Sequence, residues 1–504
     1  MSLTVFIFAL LVIASAFYIL QSRKKNPRPP GPSGLPVLGN ALALNARNAR
    51  LKFTHWNAQF GEIVYLRVFS RSMLLLNSLE AATELLEKRS SIYSDRPSRT
   101  MAKLSGFDVV TTFRERYDDS LRMAKKFLHA EFSRANVSGH SALQEQRAHE
   151  FCALLQERPG DFLQHIRETT MSISTLLFYG HEEVFDDYGS FKQNSLEVLH
   201  QFNAMAAPSR YLVDSLPFLR YIPAWVPGAV FQSDAAQNRR RIHRYMNEPY
   251  LVAKRQITNG AAQPSFLSNL LTRKDLSPEE EMSIKYAAGS GWGAGFETTV
   301  ALLMTFFIAM VLYPEVQARA QAELDAAIGN ERMPTFSDRK ILPYIDCIVS
   351  ELMRWRPPIP FAWRALRQDD NFRGYVIPKG TLVTVNTLAL THDKNWYPDP
   401  DEFKPTRFLD ADGNYSVRDA PDPRRLTFGF GRRSCPGVHF ADSVLFIIIA
   451  STLASVSISP EVSENGEPLL PDVPYAPGMG GICQPPPFKC TITPRERHAT
   501  NPRS

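Results

Sequence analysis

Cys435 lies in the stretch Phe428-Gly429-Phe430-Gly431-Arg432-Arg433-Ser434-Cys435-Pro436-Gly437, which reads F-x-x-G-x-R-x-C-x-G. That spacing describes a loop carrying one thiolate. Gly431 permits a tight turn that a β-carbon would obstruct. Pro436 suits the first turn of a helix, and the apolar run Phe440 to Leu453 continues that helix. A cysteine at a helix N-terminus beside Arg433 has two reasons for a depressed pKa: unpaired backbone N–H groups and a nearby cation. A thiolate held in this way is a strong axial ligand for haem iron. The competing reading is a buried cysteine behaving as a small hydrophobe, the common fate of a lone cysteine. The company of Phe428, Gly431, Arg433 and Gly437 favours the ligand.

A second constellation, Ala294-Gly295-Phe296-Glu297-Thr298-Thr299, falls inside a long apolar segment. Ser277 as N-cap, Pro278 in first position and carboxylates in the first turn predict a helix from there. It runs to about Leu312, because Pro314 opens the next one. Burying Glu297 in such a helix is expensive. Either Thr298 bonds back to the preceding turn while Glu297 finds a cation or water, or the pair handles protons. Gly289, Gly291 and Gly293 each cost the helix about 1 kcal/mol of propensity. They imply room for a bulky ligand, a local kink, or close helix packing. Mid-helix, they are no dinucleotide loop. In the apolar segment Tyr344 to Trp355, Glu351 and Arg354 stand at i and i+3 on one face.

Together these segments resemble the cytochrome P-450 superfamily of haem-thiolate monooxygenases over nearly the whole chain, with most likeness to microsomal fungal members. The resemblance implies a mainly α fold with small β-sheets, the cytochrome P-450 fold, preceded by one N-terminal transmembrane helix. It implies haem b, with Cys435 as the axial ligand to iron, Phe428 against the sulfur, and Gly437 and Gly295 at the cofactor, Gly295 leaving room for dioxygen. Arg433 would meet a haem propionate, and Arg364 falls where the family places another propionate-binding arginine. Leu121 and Lys125 stand where the family usually has Trp and Arg. Lys125 can still pair with a carboxylate; Leu121 cannot. Trp363 replaces a frequent His. Thr298 and Glu297 match the oxygen-activating pair, Thr298 as hydrogen-bond donor and Glu297 as proton relay. Glu351, Arg354 and Arg407 match a three-membered structural network. Electrons would come from NADPH through a separate NADPH–cytochrome P-450 reductase.

The totals agree with such an enzyme. Over 504 residues the formal charge is +6, and hydrophobic and charged residues make up 44% and 21%, as in ordinary globular proteins. No dense Lys/Arg block with interleaved aromatics points to nucleic acid. Five scattered cysteines make neither a disulfide framework nor a C-x-x-C zinc site.

Leu3 to Leu20 is uncharged and apolar, about 27 Å as a helix, near the thickness of bilayer hydrocarbon. Arg23, Lys24, Lys25 and Arg28 follow and place that flank in the cytosol. A cleaved signal peptide is the alternative, but no Lys or Arg precedes the apolar run. The organisation expected is a membrane anchor over 1–22, a basic and proline-rich hinge over 23–40 and a catalytic domain over 41–504. The implied location is the endoplasmic reticulum membrane, single-pass, with a cytosolic domain.

Ile63 to Arg67 and Met73 to Asn77 predict a hairpin, and a second patch of strand is expected around Gly374 to Val376 and Thr381 to Val385. Segments Pro358 to Ala362 and Met479 to Ile482, with Trp292 and Phe296, would line an uncharged substrate site. An apolar small molecule follows, a fungal secondary metabolite with a terpenoid favoured. The rivals are a haem-thiolate isomerase or dehydratase, a xenobiotic-oxidising monooxygenase, and a non-catalytic haem sensor or carrier. Glu297-Thr298 argues against the first and the last.

Overall fold

The computed structural model describes residues 27–44, 49–181, 188–206, 210–329, 331–472, 474–475 and 480–495. The expected anchor at 1–22 lies outside them, as does Met479.

Seven helices matter for the site: α1 (Asp119–Glu131), α2 (Phe162–Tyr179), α3 (Tyr188–Ala206), α4 (Val230–Thr258), α5 (Pro278–Leu312), α6 (Pro343–Trp355) and α7 (Val438–Ser455). The spine is α5. Its start is a capping box: the Glu280 amide donates to Ser277 Oγ at 3.2 Å and the Ser277 amide to the Glu280 carboxylate at 3.0 Å. Two orphan donors are thereby satisfied, and Glu279, Glu280 and Glu281 complement the positive helix end. From Val300 to Val311 every residue is buried, and α1, α2, α6 and α7 pack around this helix.

Both α5 and α7 are long and apolar enough to cross a membrane, yet both are mostly buried within the domain. Being apolar all round suits a core helix as well as a membrane span.

The hairpin forms as β1 (Ile63–Val68) and β2 (Arg71–Leu76), paired from Ile63↔Leu76 to Val68↔Arg71. Further on come β3 (Arg364–Ala365), β4 (Asp370–Phe372), β5 (Tyr375–Ile377) and β6 (Leu382–Val385). The second expected patch therefore splits. β5 pairs with β4, while β6 joins the first sheet, parallel to β2 and antiparallel to β3. Pairing of Arg364 with Val383 fixes the backbone that carries the Arg364 side chain.

Behind this, α6 holds the buried ionic network. Arg354 Nε and Nη2 donate to the two Glu351 oxygens at 2.7 and 2.8 Å, and both side chains are fully buried. The rest of the Arg354 guanidinium donates to the carbonyls of Thr391, Pro400 and Glu402. Glu351 also accepts from the Lys404 amide at 2.7 Å and from Arg407 Nε at 3.2 Å. Every arm of the pair thus ties α6 to the segment 391–407. Removing one partner strands the other as a buried charge, at a cost of about 3–5 kcal/mol. Arg354→Leu is expected to lower the urea midpoint by that much stability at unchanged slope; a loss below about 1 kcal/mol would contradict the assigned role.

Candidate active site

The cysteine loop is closed by its own backbone. The Cys435 amide donates to the Phe428 carbonyl at 2.8 Å. Gly431 has φ +57°, and a β-carbon there would lie 1.9 Å from the Leu86 carbonyl oxygen, so only glycine fits. Cys435 is exposed, and it lines a cavity of about 350 Å³ within the domain. Phe428, Arg433 and Gly437 line the same cavity.

Two expectations for this loop need correction. Helix α7 begins at Val438, capped by Gly437, so Cys435 precedes the helix rather than opening it. Its thiol pKa is pushed up by burial, with the Gly437 amide and the Lys125 charge acting in the other direction. The cation that acts on the thiol is Lys125 from α1, because Arg433 is occupied elsewhere. The Arg433 guanidinium donates to the carbonyls of Ser94, Thr111 and Arg114 at 2.9, 3.2 and 2.8 Å. Lys125 Nζ donates to the carbonyls of Arg432 and Ser434 at 2.7 and 2.8 Å. It meets no carboxylate there; it staples the cysteine loop.

Lys125, Arg364, Arg433 and Arg96 repel one another inside this wall of the cavity. Burial pulls Lys125 down to about 8, Arg364 to about 9 and Arg433 to about 10, and lowers Arg96 as well. Among the described residues, Arg364 Nη1 and Arg96 Nε are buried without a hydrogen-bond partner. Such a cluster is costly unless an anion answers it. A group with two carboxylates beside a thiolate-ligated iron matches these donors, so the residues present fit haem b. Arg96 was not singled out from sequence: its neighbours Asp95 and Pro97 carry no local signal, and the cluster forms only in the fold.

On the helix side, Thr298, Gly295, Ala294, Gly291 and Ser290 line the cavity. Thr298 Oγ1 donates back to the Ala294 carbonyl at 2.9 Å, so the back-bonded geometry is what forms. Its oxygen lone pairs still serve the cavity. Glu297 points elsewhere and is buried, accepting from Gln484 Nε2 at 2.6 Å. Gln484 Oε1 accepts in turn from Arg167 at 3.3 Å. Burial raises the Glu297 pKa, while Arg167 and Gln484 lower it. The hydrogen-bond partner of the acid is therefore an amide, and the expected cation, Arg167, acts on it through space.

The alternate glycines serve close packing. A β-carbon at Gly289 would meet Met246 Sδ, at Gly291 the Phe178 ring and at Gly293 the Tyr245 hydroxyl, each at 2.3 Å. They let α5 approach α2 and α4. Trp292 and Phe296 do not line the cavity. Trp292 donates from Nε1 to Thr175 Oγ1 at 3.0 Å and packs among Tyr179, Phe191, Tyr245 and Phe296. Pro358, Ile359, Phe361, Ala362, Gly481 and Ile482 do line it, together with Leu121, Leu177, Phe178, Phe202 and Leu302.

Comparison with known proteins agrees with this architecture. The sequence model of the family described as cytochrome P-450 matches residues 29–487. Cytochrome P-450 monooxygenase 208 of Postia placenta is 37% identical over 500 residues, covering 97% of this chain and 95% of that relative. Cytochrome P-450 monooxygenase claR of Ampulloclitocybe clavipes is 35% identical over 481 residues, with 94% and 88% covered. Cytochrome P-450 monooxygenase ple1 of Rhodocybe pseudopiperita is 36% identical over 498 residues, with 97% and 93% covered. The chain belongs to the cytochrome P-450 family. It is a haem-thiolate monooxygenase, and the family implies haem iron ligated by a cysteine thiolate.

Proposed function

We propose that this enzyme inserts one oxygen atom from O2 into a mostly apolar small molecule, by hydroxylation, in fungal secondary metabolism, with a terpenoid framework favoured. The observation that carries the reading is one cavity faced by both Cys435 and Thr298 and otherwise walled largely by apolar side chains. Burial of apolar surface then dominates substrate binding.

When bound, the haem supplies the reductive activation of O2. Cys435 would ligate its iron, with Phe428 and Gly437 beside the sulfur. Arg96, Arg364 and Arg433 would hold the propionates, and Lys125 keeps the cysteine loop in place. Thr298 Oγ1, now donating to the Ala294 carbonyl, would donate to oxygen in the space left by Gly295. Glu297, raised in pKa and held by Gln484, hands on protons from the far side of α5. NADPH electrons arrive through a separate NADPH–cytochrome P-450 reductase. Residues 1–22 anchor the protein once in the endoplasmic reticulum membrane, 23–40 form the hinge, and the domain over 41–504 faces the cytosol.

An isomerase or dehydratase has no use for a threonine on the cavity wall backed by a buried acid. Thr298→Ala is expected to retain haem and ligand-induced spectral shifts while diverting NADPH electrons into peroxide or water. Fully coupled turnover in that variant would remove Thr298 from the proton path. Co-expression with a reductase in a host making terpenoid scaffolds, followed by product mass analysis, is expected to show products heavier by one oxygen. Turnover confined to hydrophilic compounds would contradict the substrate class.

A further inference from the structure

Five cations line the cavity, Arg96, Arg99, Lys125, Arg364 and Arg433, and among the described residues no aspartate or glutamate does. Four of them make the cluster around the cysteine loop. Arg99 stands apart. Its Nη1 donates to the Met205 carbonyl near the end of α3. Its guanidinium lies 5.8 Å from the centroid of the Phe113 ring, and Phe113 meets Phe202 edge-on at 4.9 Å. Phe113 and Phe202 both line the cavity. This wall comes from α3 and the loop around residue 113, whose Thr111 and Arg114 carbonyls are among those that hold Arg433.

The acid that attracts Arg99 is Asp214, but the same carboxylate also faces Arg71. It accepts from the Met101 amide at 2.8 Å and from the Thr100 amide, at the start of the short helix Thr100–Leu104. Burial pulls the Arg99 pKa down to about 10, with Asp214 acting against the shift and Arg71 with it. Two propionates would answer the cluster beside Cys435, whereas Asp214 alone faces both Arg99 and Arg71, which leaves positive charge over at this wall.

We propose that the natural substrate carries a single carboxylate on an otherwise apolar framework, and that Arg99 receives this carboxylate. The inference deepens the monooxygenase reading above and rests on it. A neutral substrate filling the cavity would strip water from Arg99 and return nothing, which disfavours its binding. A carboxylate instead matches the planar fork of the guanidinium. It also fixes one end of the molecule, so that the pose of the remaining hydrocarbon is set from the Phe113–Phe202 wall. Arg99 is thereby a specificity-determining residue.

The test is an optical titration of the substrate-free holoprotein at pH 7.5 with matched pairs: dodecanoic acid against methyl dodecanoate, and abietic acid against methyl abietate. In the wild type at least one acid is expected to shift the Soret band with about tenfold or more higher affinity than its ester, as a charge-assisted hydrogen bond warrants. Arg99→Leu should bring that acid to the affinity of its ester and leave the reduced carbon monoxide spectrum intact. Arg99→Lys should keep part of the preference. Equal binding of acid and ester in the wild type, a preference that survives in Arg99→Leu, or no response to any acid would each overturn the proposal. A protein without a thiolate-type carbon monoxide spectrum would instead refute the monooxygenase reading. An intact spectrum with no acid preference refutes this inference alone.

Discussion

Concentrated positive charge inside a largely apolar cavity is the constraint on which this structure depends. Arg96, Lys125, Arg364 and Arg433 converge from four separate stretches of chain, and among the described residues no acid lines the wall with them. Their hydrogen bonds go to main-chain carbonyls of Trp363, Arg432, Ser434, Ser94, Thr111 and Arg114. Carbonyl dipoles hold the cations in place without neutralising them. The remaining charge is the recognition element for a dianionic cofactor, and Lys125 extends its field to Cys435.

Rigidity elsewhere serves that arrangement. The Glu351–Arg354–Arg407 network fixes α6 against the chain that leads into the cysteine loop. A second ionic group reinforces it, with Arg424 and Arg339 both on Asp442 and Arg339 also on Asp346. On the other side, glycines at alternate positions seat α5 against α2 and α4, so the cavity face of α5 is held by packing rather than by loops. The two halves of the site therefore sit on elements that cannot drift separately, as positioning of reacting groups requires.

Much of this was legible in the sequence because local rules govern it. The hairpin, the limits of α5 from Ser277 to Leu312, the Gly431 turn and the Glu351/Arg354 pair all follow from residues within a few positions of one another. What failed was whatever needed a partner distant in the chain. The cation that acts on Cys435 comes from α1, some three hundred residues away at Lys125, so the local reading chose Arg433. Trp292 and Phe296 were assigned to the cavity because α5 is apolar all round, and a helix without a polar stripe does not declare which face meets which neighbour. For the same reason the three glycines left packing, kink and ligand space open until Met246, Phe178 and Tyr245 were seen against them. Arg99 shows the same limit: its meaning lies in sharing the one carboxylate of Asp214 with Arg71, which spacing alone does not reveal.

The central claim is that Cys435, as a thiolate, ligates haem iron in the cavity beneath α5. The most direct measurement is the reduced carbon monoxide difference spectrum of the purified protein beside its Cys435→Ala variant. The wild type should show the strongly red-shifted Soret band of thiolate ligation, and the variant should lose it. A band that persists in Cys435→Ala, or a folded wild type that binds no haem, would contradict the account.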